Sequence, residues 1–103
     1  MIGFVTVARV GDIAPGTGRQ VTVQERWIGL FNVKGRFYAL DNLCLHRGGP
    51  LSDGVVGGNV VTCPWHGWQF DLTNGILVQD PSVGVTTHET RVVGDEVQVR
   101  LSE

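Results

Sequence analysis

The distribution of glycine restricts what this chain can fold into. Fifteen of its 103 residues are glycine, and most of them separate short apolar runs that are rich in valine. Glycine readily adopts the positive φ of tight turns, whereas β-branched residues in short alternating runs favour strands. No stretch of the sequence sustains the i, i+3, i+4, i+7 spacing of a long amphipathic helix. The sequence therefore predicts an all-β fold.

The alternating runs locate the strands, and three short sequences between them indicate turns. The expected strands are 4–7, 21–24, 27–33, 37–41, 60–62, 69–71, 76–79, 85–93 and 96–101. The turn sequences are KGR (34–36), NG (74–75) and GD (94–95). Residues alternate on both sides of the GD turn, so the C-terminal segment should form a hairpin with one buried face.

Length and composition exclude several classes of protein. A chain of 103 residues has room for one domain of ordinary size, so we expect a single domain over 1–103. The net charge of −2, with basic residues scattered along the chain, leaves no basic stripe for nucleic acid. No apolar run approaches the roughly 20 residues that span a bilayer, and the alternating N-terminal segment is unlike a signal peptide. We expect no nucleic-acid or membrane partner and a cytoplasmic location.

Both cysteines and two of the three histidines are concentrated in one segment. Cys44 and His46 form a C-x-H pair, and after sixteen intervening residues Cys63 and His66 form a C-x-x-H pair. Two such pairs on separate loops can hold one metal centre, because each loop presents its pair locally and the β framework fixes the distance between the loops.

Four interpretations of these residues compete. In the first, both cysteines are buried structural thiols and both histidines are incidental, which would make the two matched Cys/His pairs a coincidence. A disulfide between Cys44 and Cys63 would leave the histidines unexplained, and nothing indicates an oxidising compartment. A Cys2His2 zinc site has the right ligands, but zinc fingers group Cys with Cys and His with His before a helix. A 2Fe-2S cluster, with two cysteines on one iron and two histidines on the other, accounts for all four residues and is favoured.

The sequence CLHRGGPLSDG (44–54), followed by CPWHGWQFDLTNG (63–75), resembles the Rieske iron-sulfur family. The resemblance implies one 2Fe-2S cluster per chain, with an inner iron held by two thiolates and an outer iron held by two imidazoles. The implied ligands of the inner iron are Cys44 and Cys63, and those of the outer iron are His46 and His66.

The same resemblance implies where these loops lie. The fold would be a small antiparallel β-sandwich, with a cluster-binding subdomain of two metal-ligand loops at one tip, within about residues 42–72. A third, proline-bearing loop usually covers the cluster in this family, and QDPSVG (79–84) is the expected counterpart. Three glycines could donate backbone N–H groups to the cluster sulfurs. They are Gly48, Gly49 and Gly67.

Three further side chains have interpretations that a structure can test. Trp65 is expected to be an exposed apolar side chain at the edge of the cluster, where it limits access of water and offers a docking patch. Trp68 is expected to pack in the core. His88 lies in TTHETR, where alternation predicts a solvated surface position and no metal-binding role.

The resemblance implies a Rieske ferredoxin, which is a one-electron carrier between a ferredoxin reductase and a terminal oxygenase. Such a component is not an enzyme on its own, because Rieske-type oxygenases need a further iron domain that 103 residues cannot contain. An alternative is the small subunit of an NAD(P)H nitrite reductase. An alternative of another class is a zinc- or cluster-stabilised interaction module with no redox role.

Family members with a high reduction potential carry features whose positions here hold other residues. Their disulfide beside the cluster corresponds to Gly49 and Trp65, and their hydroxyl donors to the cluster correspond to Trp68 and Phe70. Without those donors the reduced state is less stabilised, so we expect a potential near the low end of the family range, roughly −150 mV.

Overall fold

The computed structural model describes residues 3–42, 50–65 and 67–102. Within this part of the chain, the regular structure consists of nine β-strands and two short 3-10 turns, Val10–Asp12 and Leu51–Asp53. The strands are β1 (Val5–Arg9), β2 (Thr17–Val23), β3 (Arg26–Val33), β4 (Arg36–Asp41), β5 (Val55–Gly57), β6 (Val60–Thr62), β7 (Gln69–Asp71), β8 (Thr87–Val93) and β9 (Glu96–Arg100). The all-β prediction is confirmed. The described segments contain no helix with the length and hydropathy of a membrane span.

The strands form two antiparallel sheets. A six-stranded sheet has the order β1-β9-β8-β4-β3-β2, and its edge strands β1 and β2 contact each other, so that the sheet curves toward a barrel. A smaller sheet has the order β5-β6-β7. The closing hairpin is confirmed: Val93 pairs with Glu96 across the GD turn, and Gly94 has φ +63°. The KGR turn has positive φ at Lys34 and Gly35.

The buried side chains form two clusters, one on either side of the large sheet's strands β3 and β4. The first lies within the curve of the six-stranded sheet and includes Ile28, Leu30 and Val97. The second fills the space between β3, β4 and the small sheet, and it contains one predicted ligand, Cys63. Burial of the second cluster therefore fixes the small sheet, and the loops at its end, against the larger one.

Two features of the strand prediction are wrong. The segment 76–79 is not a continuous strand: its pairing consists of isolated bridges, Phe70 with Leu77 and Ile76 with Gly84. Strand β5 was not predicted, because two valines between glycines are too short a run to show alternation. It is stabilised by antiparallel pairing with β6.

Candidate metal centre

Three of the four predicted ligands, Cys44, His46 and His66, lie outside the described residues, as do Gly48 and Gly49. The fourth, Cys63, is described. The structure also describes the backbone on both sides of each predicted ligand loop. The ligand set therefore stays a prediction, and the framework that would present it can be analysed directly.

Cys63 follows β6 immediately and lies at the base of a tight turn. Its side chain is buried, with 2% exposure, in the second core cluster beside Leu51 and Phe70. The Cys63 N–H donates to the Trp68 carbonyl at 2.7 Å, and the Gly67 N–H donates to the Cys63 carbonyl at 3.2 Å. These two bonds close the second ligand loop at its base, so that the backbone from which the thiol projects is fixed.

Gly67 explains why this turn requires glycine. Its φ is +73°, in the left-handed region that side chains other than glycine rarely adopt. Its N–H, which could donate to a cluster sulfur, donates to the Cys63 carbonyl in this structure, and a contact with the cluster stays a prediction. The described role of Gly67 is thus to reverse the chain after His66.

A buried asparagine ties together the two ends of the first ligand loop. Asn42 has 0% exposure and follows β4 directly. Its Nδ2 donates to Ser52 Oγ at 2.9 Å and to Gln20 Oε1 at 2.9 Å, and its Oδ1 accepts from the Ser52 N–H at 2.7 Å. Asn42 and Ser52 flank the segment that carries Cys44 and His46. Sequence reasoning missed this clamp, and its only signal was a polar residue between a strand and the first ligand pair.

The β5–β6 hairpin brings the end of the first loop to the start of the second. Val55 pairs with Thr62 at its open end, directly beside Cys63. Gly54 precedes the hairpin, and its N–H donates to the Leu51 carbonyl at 2.9 Å. A Cβ at Gly54 would overlap the Thr62 carbonyl oxygen, so only glycine allows this close approach.

The predicted third loop lies against the second ligand loop. The Gln69 N–H donates to Gln79 Oε1 at 3.1 Å, and Gln79 Nε2 donates to the Gly67 carbonyl at 3.3 Å. Within the third loop, the Ser82 hydroxyl and then the Ser82 N–H donate to Asp80 and hold the pKa of that carboxyl below its usual range. The two loops are therefore in contact through Gln79, and coverage of the cluster by the third loop stays a prediction.

The two tryptophans of the second loop occupy the positions expected from sequence. Trp65 is 56% exposed at the turn. Trp68 is half-buried and packs against the second core cluster. The loop therefore has one aromatic side chain directed to solvent and one that anchors it to the core.

The prediction that His88 is solvated is wrong. His88 is 7% exposed, and the Ser102 N–H donates to its Nδ1 at 3.0 Å. Because Nδ1 accepts, Nε2 carries the proton of the neutral ring and donates to Asp41 Oδ1 at 2.8 Å. The same carboxylate oxygen accepts from Arg26 at 2.9 Å. His88 thus holds the end of β4, just before the first ligand loop begins.

An all-β fold, in which a buried cysteine lies at the base of a glycine turn and beside the hairpin that follows the first loop, is compatible with a small cluster-binding protein. The chain belongs to the Rieske family: the family model of the Rieske 2Fe-2S domain matches residues 3–93. The protein is therefore a Rieske 2Fe-2S protein of the ferredoxin-like, electron-transfer kind.

Relatives of this chain include more than one kind of redox component. The ferredoxin component of the naphthalene 1,2-dioxygenase system of Pseudomonas aeruginosa is 34% identical over 100 residues, which cover 96% of each chain. A chain in the complex of reduced oxygenase and oxidized ferredoxin in carbazole 1,9a-dioxygenase is 32% identical, with a TM-score of 0.85 over 94% of this chain and 92% of that one. A Mycobacterium tuberculosis protein, assigned as an NADH-dependent nitrite reductase small subunit, is 25% identical, with a TM-score of 0.92 over 100% of this chain and 98% of that one.

The described residues fit the 2Fe-2S cluster that the family implies. Cys63 supplies a thiol, which is the ligand type of the inner iron, and it is buried among apolar side chains that limit access of water. The ends of both loops are fixed by hydrogen bonds of 2.7 to 3.2 Å. Burial of the thiol suits a centre whose potential depends on the exclusion of water, and the fixed loop ends suit ligands that must keep a set spacing.

Proposed function

We propose that this protein is a one-electron carrier that passes electrons from a ferredoxin reductase to a terminal oxygenase. The observation that carries the proposal is similarity to a dioxygenase ferredoxin component over 96% of both chains. The fold by itself does not separate this role from that of a nitrite reductase small subunit, because both classes align over nearly the whole chain. Relatives that align at 30% to 34% identity over at least 92% of both chains include several ferredoxin components, and this supports the ferredoxin role.

We propose that the cluster is held within a single domain, 1–103, by the two ligand pairs of the sequence. Cys44 and Cys63 would bind the inner iron, and His46 and His66 the outer iron. When bound, the cluster accepts and returns one electron, at a potential above that of all-cysteine clusters because two ligands are imidazoles. The chain's contribution is to hold these ligands, to limit water around Cys63 and to present one edge of the centre to a partner.

Trp65 is the proposed contact for redox partners. It lies between Cys63 and His66 in sequence, and more than half of its side chain is exposed. Large aromatic side chains are common anchors of protein interfaces, and electron-transfer complexes are small and transient. An exposed indole beside the outer-iron ligand could therefore dock a partner while the electron crosses a short distance.

Reconstitution of a complete electron-transfer chain tests this function. The purified protein is combined with NADH, a ferredoxin reductase and a terminal oxygenase of an aromatic-ring dioxygenase system, and product formation is measured. We expect product only when all components are present, and none when the carrier is replaced by its Cys63→Ser variant. Product from the isolated chain with reductant would contradict the carrier role.

A parallel assay tests the second candidate. The strong match to the Mycobacterium tuberculosis structure is the observation that favours it. The small-subunit role would replace the one proposed here if the protein restored nitrite reduction by a nitrite reductase large subunit and supported none of the oxygenases tested. If the purified protein contained zinc and lacked a visible absorption band, the interaction module would replace both.

A further inference from the structure

Between β7 and the segment that follows it, a side-chain oxygen replaces a backbone carbonyl as a hydrogen-bond acceptor. Phe70 pairs with Leu77, and in a regular antiparallel ladder the neighbouring pair would exchange two backbone bonds. One of them is present: the Val78 N–H donates to the Gln69 carbonyl at 2.7 Å. In the position of the other, the Gln69 N–H donates to Gln79 Oε1 at 3.1 Å. The Gln79 amide oxygen thus acts as a substitute for a strand carbonyl.

The other end of the same amide reaches the second ligand loop. Gln79 Nε2 donates to the Gly67 carbonyl at 3.3 Å and to Gln69 Oε1 at 3.4 Å. One carboxamide therefore holds the backbone on both sides of Trp68. Gly67 directly follows His66, the proposed ligand of the outer iron, so the contact lies one peptide bond from that ligand.

Asn74 makes a similar substitution with a different consequence. Its Oδ1 accepts the Ile76 N–H at 2.9 Å, only two residues away, which is ordinary turn chemistry within one segment. The bonds of Gln79 span ten residues to Gln69 and twelve to Gly67. Asn74 shapes its own turn, whereas the Gln79 side chain adds a link between the third loop and the second ligand loop.

We propose that Gln79 is a positioning residue that fastens the His66 end of the second ligand loop to the proline-bearing third loop. This inference rests on the proposed ligand set. The groups that Gln79 bonds are accessible to water, so their loss should be compensated by hydration and should change global stability little. What is lost is orientation: the peptide that follows His66 gains freedom, and the imidazole and its surroundings become heterogeneous.

The test uses the cluster-loaded protein and two substitutions at this position. Gln79→Ala removes all three hydrogen bonds of the side chain. Gln79→Glu keeps an oxygen that accepts from the Gln69 N–H, but its carboxylate cannot donate to the Gly67 carbonyl. Gln98→Ala and Gln98→Glu are matched controls, because Gln98 is a glutamine on β9 of the other sheet whose amide bonds to Arg91 and Thr6.

Three measurements separate positioning from a structural role. In Gln79→Ala, hydrogen exchange in a peptide spanning 63–70 should be about tenfold faster, while β3 and β8 exchange as in the wild type. The resonance lines in the electron paramagnetic resonance spectrum of the reduced cluster should broaden, because the g-values become distributed. The denaturation midpoint should equal that of Gln98→Ala. Gln79→Glu should retain protection at Gln69 but show the same broadening, with a lower midpoint potential because a negative charge lies near the reduced centre.

Two outcomes would overturn the inference while leaving the proposed function intact. One is a Gln79→Ala protein whose exchange and g-values match those of Gln98→Ala. The other is a Gln98→Glu protein that shows the same broadening as Gln79→Glu, since charge alone would then explain it. Failure of the ligand set has a separate signature, which is a Cys63→Ser variant that keeps its iron. If Gln79→Ala loses its cluster on purification, Gln79→Glu provides the same comparison of g-values.

Discussion

Replacing Asn42 with alanine should destabilise the fold and the metal centre together. Asn42 is fully buried, and its carboxamide holds Ser52 on the far side of the first ligand loop. The variant removes two bonds to Ser52 and one to Gln20. No other described group replaces the carboxamide at these positions, so the two ends of the loop lose the link that holds them together.

The structure allows the size of the effect to be estimated. Ser52 is 6% exposed, so its N–H would lose a buried partner at a cost of about 1–3 kcal/mol, and its hydroxyl would lose about 0.5–1.5 kcal/mol. Gln20 is exposed, and its carbonyl can return to water at little cost. The free energy of unfolding should fall by about 2–4 kcal/mol, a large share of the 5–15 kcal/mol typical of a domain.

Denaturant unfolding and chelator-driven bleaching of the visible absorption would measure the two consequences. At about 4 °C or more per kcal/mol for a domain of this size, a loss of at least about 2 kcal/mol should lower Tm by about 8 °C or more. Bleaching by a chelator should be faster than in the wild type, because the first loop opens more often. Gln20→Ala is the control, since it removes one of the three bonds and leaves Ser52 paired. If Asn42→Ala lost no more stability than Gln20→Ala, the clamp would not be what holds the loop.

Three further predictions concern the electron-transfer centre. Phe70→Tyr adds a hydroxyl to a side chain that is buried in the same hydrophobic cluster as Cys63. If that hydroxyl donates to the sulfur, the midpoint potential in voltammetry should rise by about 40 mV, which corresponds to about 1 kcal/mol for one electron. An unchanged potential in a stably folded Phe70→Tyr protein would show that the hydroxyl does not reach the sulfur. Trp65→Ala should slow electron transfer to the oxygenase about tenfold in stopped-flow experiments and leave the visible spectrum unchanged, because the side chain is an exposed contact; equal rates would remove Trp65 from the docking surface. The wild-type potential should be roughly −150 mV, and a value above about +100 mV would place the protein with the high-potential members of the family.

Those parts of the fold that depend on neighbouring residues could be predicted from the sequence. The closing hairpin requires only alternation on both sides of a two-residue turn, and its register agrees with the prediction. Strands β6 and β7 were predicted with the observed bounds, because each is a short apolar or alternating run next to a turn. The paired Cys and His spacing is local in the same sense, since each pair spans only three or four residues of the sequence.

Those features that depend on long-range partners could not be predicted. Alternation in β8 gives the period of the strand but not which face is buried, and the partners of His88 lie 47 and 14 residues away, at Asp41 and Ser102. The clamp between Asn42 and Ser52 likewise depends on how two elements pack. The failed strand at 76–79 has a physical cause, because the Gln79 side chain supplies one acceptor that a ladder would take from the backbone.

The central claim is that this chain carries a Rieske 2Fe-2S cluster, and one measurement tests it most directly. Iron, acid-labile sulfide and zinc are quantified in the protein as purified under anaerobic conditions, relative to the concentration of chain. The account predicts about two irons and about two sulfides per chain, with no stoichiometric zinc. About one zinc per chain, with neither iron nor sulfide, would contradict it and would make these loops a tetrahedral zinc site.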